Sequence, residues 1–379
     1  MKIEQLRWQG KGWEPVARAS GQMRKAQLLL LFGSPSLLKK RLPFMDLRER
    51  YPGVHLLGCS TAGEIADASV LDDSLVATAI QFEHTALQAV RIKLKEYTSS
   101  FEAGELLARR LVKERLAHVF VLSHGKDING SALVAGLKKH LPPHVAITGG
   151  LAGDGTDFRE TFLLWEGALE NSSIGILGFY GERLCIGYGS FGGWDAFGPY
   201  RLITRSSGNV LYELDGKPAL LLYKAYLGEQ ARDLPASGLL FPLCLLSSED
   251  AEPVVRTLLS VNEAEQSITF AGDVPEGNYA RFMRTNFEHL VEGASTAART
   301  SYEAGGAFSP DLAVLVSCVG RKLVLQKRTV EEVKEVRRVL GGKTILTGFY
   351  SYGEISPFRP GAMCRLHNQT MTVTTFSER

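Results

Sequence analysis

The stretch HLLGCSTAGEIAD, residues 55–67, decides the reading of the fold. An apolar run ends in the small residues Gly58, Cys59, Ser60, Thr61 and Ala62, and Glu64 then follows directly on Gly63. The run reads as a strand buried on both faces, and the glycine lets the backbone turn where a side chain would obstruct it. Upstream, QLLLLF (27–32) reads as a second buried strand ended by Gly33. SPSLLKKRLPFMDLRERY, between the two, reads as a helix broken near Pro43. Strand, helix and strand with short connections imply a right-handed parallel crossover.

The same layout returns twice. HVFVLS (118–123) leads through Gly125 and a polar loop to the helix SALVAGLKKH, closed by Pro142, and then HVAIT enters GGLAGDG. LAVLVSC (312–318) reaches Gly320, and TVEEVKEVRRVL forms a helix in which Thr329 and Glu332 have the spacing of a capping box and Gly341 is the stop. KTILT then enters GFYSYGEI. The distances from Gly33 to Gly63, Gly125 to Gly153 and Gly320 to Gly353 are similar, which marks an internal repeat. After each turn the pattern changes to alternating strands, in SLVATAIQF, TFLLWEGALENSSIGILGF and QTMTVTTF, with ALEN predicted as a hairpin turn. The fold class expected is mixed α/β (α+β): repeated β-α-β crossover units with mixed parallel and antiparallel sheets, in two domains.

From residue 199 toward residue 310 the series is interrupted. KPALLLYKAYLG predicts a helix with Pro218 near its first turn, Asn286 to Tyr302 predicts another, and DLPASGLLFPLCLL between them reads as extended. Turn formers cluster without periodicity in GSFGGWDAFGP, so the cut falls between 195 and 205. It gives domains 24–198 and 199–365, the C-terminal strand extending to 376.

Composition narrows the function classes. The chain has 379 residues, 45% hydrophobic, with 39 glycines, as a compact globular protein should. Forty-three basic against 41 acidic residues leave +2, which points to no nucleic-acid or membrane-surface partner. The longest apolar run, Gly238 to Leu246, is far short of the roughly 20 residues that span a bilayer, and MKIEQLRWQGKGWEP lacks the apolar segment of a signal peptide. A soluble cytoplasmic protein is expected. Cys59, Cys185, Cys244, Cys318 and Cys364 are odd in number and form no CxxC, so neither a disulfide framework nor a zinc knuckle is indicated.

In open α/β sheets ligands gather beyond the carboxyl ends of parallel strands, where all three turns lie. Ser60, Thr61, Ser351 and Tyr352 offer neutral hydrogen-bonding groups there. Glu64, Asp154 and Glu354 either hold an ammonium or guanidinium group, orient donors, or cap their own turns by accepting backbone N–H bonds. Tyr350, Tyr352 and Phe358 either line a pocket or fill core. GCSTA resembles the nucleophile elbow G-x-S-x-G, but the elbow runs into a helix and strand-like sequence follows here, so Cys59 reads as a buried small residue. His124, in the strand-end loop SHGKDING, is either placed for a ligand contact or a solvated loop histidine. His289 is expected to point to water. His140, His144 and His367 have no metal-ligand spacing, and neither a P-loop nor a GxGxxG opening a helix occurs. GELLARRLVKERLAH reads as a helix with Leu106, Leu107, Leu111 and Leu116 as its apolar stripe and Arg109, Arg110, Lys113 and Arg115 on a solvated face.

Taken together, GCSTAGEI (58–65), VLSHGKDINGSALVAGL (121–137), GGLAGDG (149–155) and GFYSYGEISP (348–357) resemble the FIST family of sensory domains. The likeness extends through FPL (241–243) and FAGDVPEGNYARFMRTN (270–286). It implies an N-terminal and a C-terminal FIST domain, no enzymatic activity, and a small-ligand sensor whose ligands are amino acids or related metabolites. It also implies output through a histidine kinase, cyclase or chemoreceptor, here a separate protein reached by contact, with a histidine kinase the partner expected. Some stand-alone bacterial members bind haem and sense nitric oxide, which makes haem an alternative cofactor and His124 its candidate axial ligand. The family pattern has an acidic residue where this chain has His124. A hydrolase or lyase using Glu64 and Glu354 with Cys59 is the alternative from another class.

Overall fold

A computed structural model describes residues 1–379 apart from 9, 11, 20–22, 24, 41 and 247–252, so the domain bound set at residue 24 lies outside the described residues. The three expected crossovers form. Leu28–Gly33 pairs in parallel with His55–Ser60, Leu116–Ser123 with Ala146–Leu151, and Leu312–Cys318 with Ile345–Ser351. Helices Leu42–Arg50, Gly130–His140 and Thr329–Leu340 make the crossings. Each pair is widened on the side of its first strand by an antiparallel strand, Leu75–Gln81, Ser173–Tyr180 or Met371–Glu378. A further strand follows on that side, Lys2–Trp8, Ala86–Lys93 or Leu184–Phe191.

On the other side each sheet is completed by a strand from a different unit. After its turn, the first unit sends Glu64–Ala66 to pair with Ile345–Ser351 of the third. The second sends Leu163–Trp165 to His55–Ser60 of the first, and the third sends Gly353–Ser356 to Ala146–Leu151 of the second. The exchange is cyclic.

The runs are apolar throughout because both faces of these strands are covered. Leu28, Leu30 and Phe32 point into a central core shared with Phe120, Leu122, Leu312, Val314 and Val316, whereas Leu29 and Leu31 pack under the helices of their own unit. Phe32 meets Phe349 of the third unit at 4.7 Å between ring centroids, and Phe179 meets Phe376 at 5.3 Å. A fully buried leucine or phenylalanine contributes about 1.5–3 kcal/mol. A helix cap contributes about 1 kcal/mol. The inner faces therefore fix the arrangement.

Residues 195–284 leave the third unit after Leu184–Phe191 and form a separate eight-stranded sheet around Tyr223, Phe270 and Phe282. The chain then returns through helix Phe287–Ala304, which Asn286 caps by accepting from the His289 N–H at 2.8 Å.

Five local expectations are corrected. Thr329 and Glu332 form no capping box: the Thr329 hydroxyl donates to Gln326 O, and the Glu332 carboxylate turns inward to a buried arginine, Arg321. The hairpin turn is Glu166–Gly167, both at positive φ, and ALE is strand rather than turn. The helix at 100 stops at Arg110, so Leu111 caps it and Leu116 belongs to the next strand. DLPASGLLFPLCLL starts on the last residue of a 3-10 segment, Gly228–Asp233, and holds another, Ala236–Leu240, before the strand Leu243–Leu246. His289 is half-buried and meets Asp195 at 2.6 Å instead of pointing to water alone.

Candidate functional site

Where the parallel strands end, the three turns meet and hydrogen-bond to one another in a ring. The Gly153 N–H donates to Ser60 O at 2.9 Å, the Tyr352 N–H to Leu151 O at 3.3 Å, and the Ala62 N–H to Tyr350 O at 2.9 Å. Gly63 sits at φ +137, where L side chains are strained, so the position takes glycine; a Cβ there would lie 2.4 Å from the ammonium of the flexible Lys322 side chain.

The carboxylates behind the turns differ in environment. Glu64 is 1% exposed and accepts from the Thr61 hydroxyl at 2.5 Å, the Ser74 hydroxyl at 2.6 Å and the Ser74 N–H at 3.2 Å. Burial pushes its carboxyl up to about 7. Glu354 repeats the design, accepting from the Ser351 hydroxyl at 2.8 Å and from the Thr370 hydroxyl and N–H at 3.0 and 3.2 Å, and burial pushes it up to about 8. Asp154 is half-exposed. It accepts from the Tyr352 hydroxyl and, at 2.7 Å each, from the Arg159 and Glu160 N–H groups, so it folds the loop that follows it. The second unit has Leu151 where the others have a hydroxyl three residues before the carboxylate, which removes the side-chain donor that holds Glu64 and Glu354 inward.

A cleft of about 800 Å3 opens over the first turn and is walled by all three units. The first contributes Ser34, Lys39, Thr61, Glu64, Asp72 and Asp73, the second Asp154 to Asp157 with Arg159 and Glu160, and the third Val319, Lys322, Leu323 and Gln326. Lys322 reaches across from the third unit. Its ammonium donates to Ala62 O at 2.8 Å, pairs with Asp72 and stands 5.6 Å from the Tyr350 ring centroid. Lys39 meets Glu160 at 2.7 Å.

Of the residues singled out in the sequence, Thr61, Glu64 and Asp154 reach this cleft together. The Ser60 hydroxyl accepts from the Phe162 N–H at 2.8 Å and lies buried. Tyr350 is fully buried beneath the cleft and donates to Glu332 at 2.7 Å. Tyr352 stacks on Phe158 at 4.5 Å, holding Asp154 from behind. Ser351 and Glu354 are buried on the far side of the ring and do not line the cleft; their polar atoms bond to each other and to Thr370. Phe358 packs edge-on against His367 at 4.3 Å. Cys59 is wholly enclosed and its thiol is pushed well up by burial.

His124 is 2% exposed, its Nδ1 lies 3.1 Å from Ser173 O, and its Nε2 is buried. Burial lowers its pKa. A haem must stand against the coordinating nitrogen, and an enclosed ring nitrogen does not fit that role. No cluster of three metal-ligating side chains occurs among the described residues, and no helix among them is long and apolar enough to cross a membrane.

Lys322, Lys39, Asp72 and Arg159 escaped the sequence reading. Lys322 lies just past the carboxyl end of a parallel strand, as the turns do, but on the first strand of its pair. The same strand-end rule, applied to both strands, would have found it.

Fold and site define a mixed α/β protein whose repeated turns close one end of a shared core beneath a charged cleft. The FIST N domain model matches residues 27–217 and the FIST C domain model residues 219–357. The chain belongs to the FIST family, whose domains are small-ligand-binding sensory domains of signal transduction. An uncharacterized protein of Methanocaldococcus jannaschii is 22% identical over 334 residues, covering 81% of this chain and 63% of its own length. This chain thus spans less than two thirds of that relative. Among solved structures, a cyanuric acid hydrolase from A. caulinodans aligns with a TM-score of 0.18 at 10% identity, over 78% of this chain and 99% of that one. Another cyanuric acid hydrolase aligns at 0.17 and 12%, over 78% and 100%. Scores this low inform neither fold nor activity.

Proposed function

We propose that the chain is a sensor that binds an amino acid or related metabolite in the cleft over the first turn. It reports occupancy to a separate signalling protein, of which a histidine kinase is the expected kind. The observation that carries this reading is the reach of Lys322 across the unit boundary to Ala62 O and Asp72. A ligand seated beside it touches all three units, and differential contact with two arrangements of those units is what a sensor requires. The walls present both signs of charge, with Lys39, Arg159 and Lys322 facing Asp72, Asp73, Asp154 and Glu160, which suits a molecule carrying an ammonium and a carboxylate. Calorimetry with the twenty amino acids and their decarboxylated and deaminated forms tests it. At least one zwitterion should bind the wild type and lose affinity about tenfold or more in Lys322→Met. Binding that survives the substitution unchanged, or no binding by any member of the panel, defeats the assignment.

A further inference from the structure

Most charges in the cleft over the first turn are already matched. Lys322 pairs with Asp72, and Lys39 meets Glu160 at 2.7 Å. Asp154 is taken up by the Tyr352 hydroxyl and two backbone N–H groups, and Glu64 by Thr61 and Ser74. Three charged side chains on the walls remain, Arg159, Asp73 and Asp157, and each is exposed with no ion pair or side-chain hydrogen bond to another described residue. One cation and two anions are therefore open to a guest.

Two of the three stand on one anchored loop. Phe158, between Asp157 and Arg159, takes φ +51, a region that a bulky side chain rarely enters, and its ring stacks on Tyr352 at 4.5 Å between centroids. Asp154 draws in the Arg159 N–H at 2.7 Å, and the Lys126 ammonium donates to Arg159 O at 3.0 Å. The backbone under both side chains is thus set before a ligand arrives. On the wall of the first unit, Asp73 sits between two engaged neighbours, Asp72 in its pair with Lys322 and Ser74 in its bonds to Glu64. Lys322 spends two of its three N–H donors, on Ala62 O and Asp72, and has one more to give.

We propose that the ligand is an amino acid with a second positive charge on its side chain, of the arginine, lysine and ornithine class. This narrows the sensor reading above and rests on it. The α-carboxylate is drawn to Arg159 and the spare donor of Lys322, while the α-ammonium and the side-chain cation are shared between Asp73 and Asp157. A neutral side chain leaves one of those carboxylates unanswered, and a polyamine leaves Arg159 unanswered. At about 800 Å3 the space admits every amino acid, so charge rather than size makes the choice.

Calorimetry at neutral pH with L-arginine and L-lysine tests the proposal. The comparisons are L-citrulline and L-norleucine, which keep much of the shape without the side-chain charge, and agmatine, which is arginine without its carboxylate. Arginine and lysine should each bind about tenfold more tightly than the neutral counterpart, and arginine about tenfold more tightly than agmatine. Asp73→Asn/Asp157→Asn should weaken arginine more than citrulline and remove the preference. Arg159→Met should weaken arginine and citrulline alike and narrow the gap between arginine and agmatine. Citrulline binding as tightly as arginine, or a preference that survives the double asparagine variant, overturns the proposal and leaves the sensor reading standing. Failure of both arginine and lysine to bind also overturns it, and the wider amino-acid panel then judges the sensor reading separately. Should a variant fail to fold, the wild-type comparison decides alone.

Discussion

Replacing Glu64 by glutamine should change how stability responds to pH, and the geometry gives the size of the change. The carboxyl is held up at about 7 in the folded chain against an ordinary 4.5. Between those values the folded state keeps a proton that the unfolded state has released, so stability falls as pH rises through the window. Below 4.5 both states are protonated, and above 7 both are ionised. The separation corresponds to about 3 kcal/mol, of which about 2–3 kcal/mol lies between pH 5 and pH 8. Glutamine can place its oxygen on the two Ser74 donors and its amide N–H on the Thr61 hydroxyl, so the contacts persist while the titration disappears. Urea unfolding of wild type and Glu64→Gln at pH 5 and pH 8 should therefore show the variant gaining about 2–3 kcal/mol relative to wild type at the higher pH. Glu354 shifts in the same direction and cancels in the comparison, being present in both proteins. A difference between the two proteins that does not change with pH refutes the reasoning, and one that changes in the opposite sense shows the ionised form to be the one the fold favours.

Other outcomes follow from the same interior. Arg321 and Glu332 are both wholly buried and joined at 2.8 Å, with the Ser317 and Tyr350 hydroxyls on the other carboxylate oxygen. Arg321→Met should cost about 3–5 kcal/mol in urea unfolding by stranding the carboxylate, and adding Glu332→Gln should recover at least about 1 kcal/mol of it. An additive cost in the double variant would show that the pair is not coupled. Of the five cysteines Cys59, Cys244, Cys318 and Cys364 are buried and Cys185 is half-buried at a strand edge, so a thiol reagent should label one cysteine quickly in the native protein and five in urea. Rapid native labelling of Cys59 would contradict the packing of the central core.

The crossovers were legible because strands covered on both faces must be apolar at every position, and Leu28 to Phe32 satisfies two cores at once. The turns were legible for a local reason: the positive φ at Gly63 calls for glycine. The cyclic exchange was not. Glu64–Ala66 pairs with Ile345–Ser351, and no periodicity in either segment names a partner so far along the chain. Glu332 misled in the same way, since its spacing from Thr329 suits a cap while Arg321, brought in by the fold, takes the carboxylate. At the site, the three turns were grouped correctly by their position at strand ends, yet whether a carboxylate faces the cleft or the interior depends on one hydroxyl and on which unit it meets. The exposed Lys39 and Arg159 have no pattern that separates them from ordinary surface residues.

The exchange of strands also bears on how the chain emerges during synthesis. When residues up to 218 have been made, Leu184–Phe191 has no Met371–Glu378, Ala146–Leu151 has no Gly353–Ser356, and the hairpin after Glu64 has no Ile345–Ser351 to lie against. At about 5–20 residues per second those edges stay open for about 8–32 s. Unpaired apolar edges are templates for joining other chains. The nascent FIST N segment therefore depends on chaperones for longer than a self-sufficient domain of its length, and expressed alone it should be found in aggregates until the FIST C segment is supplied alongside it.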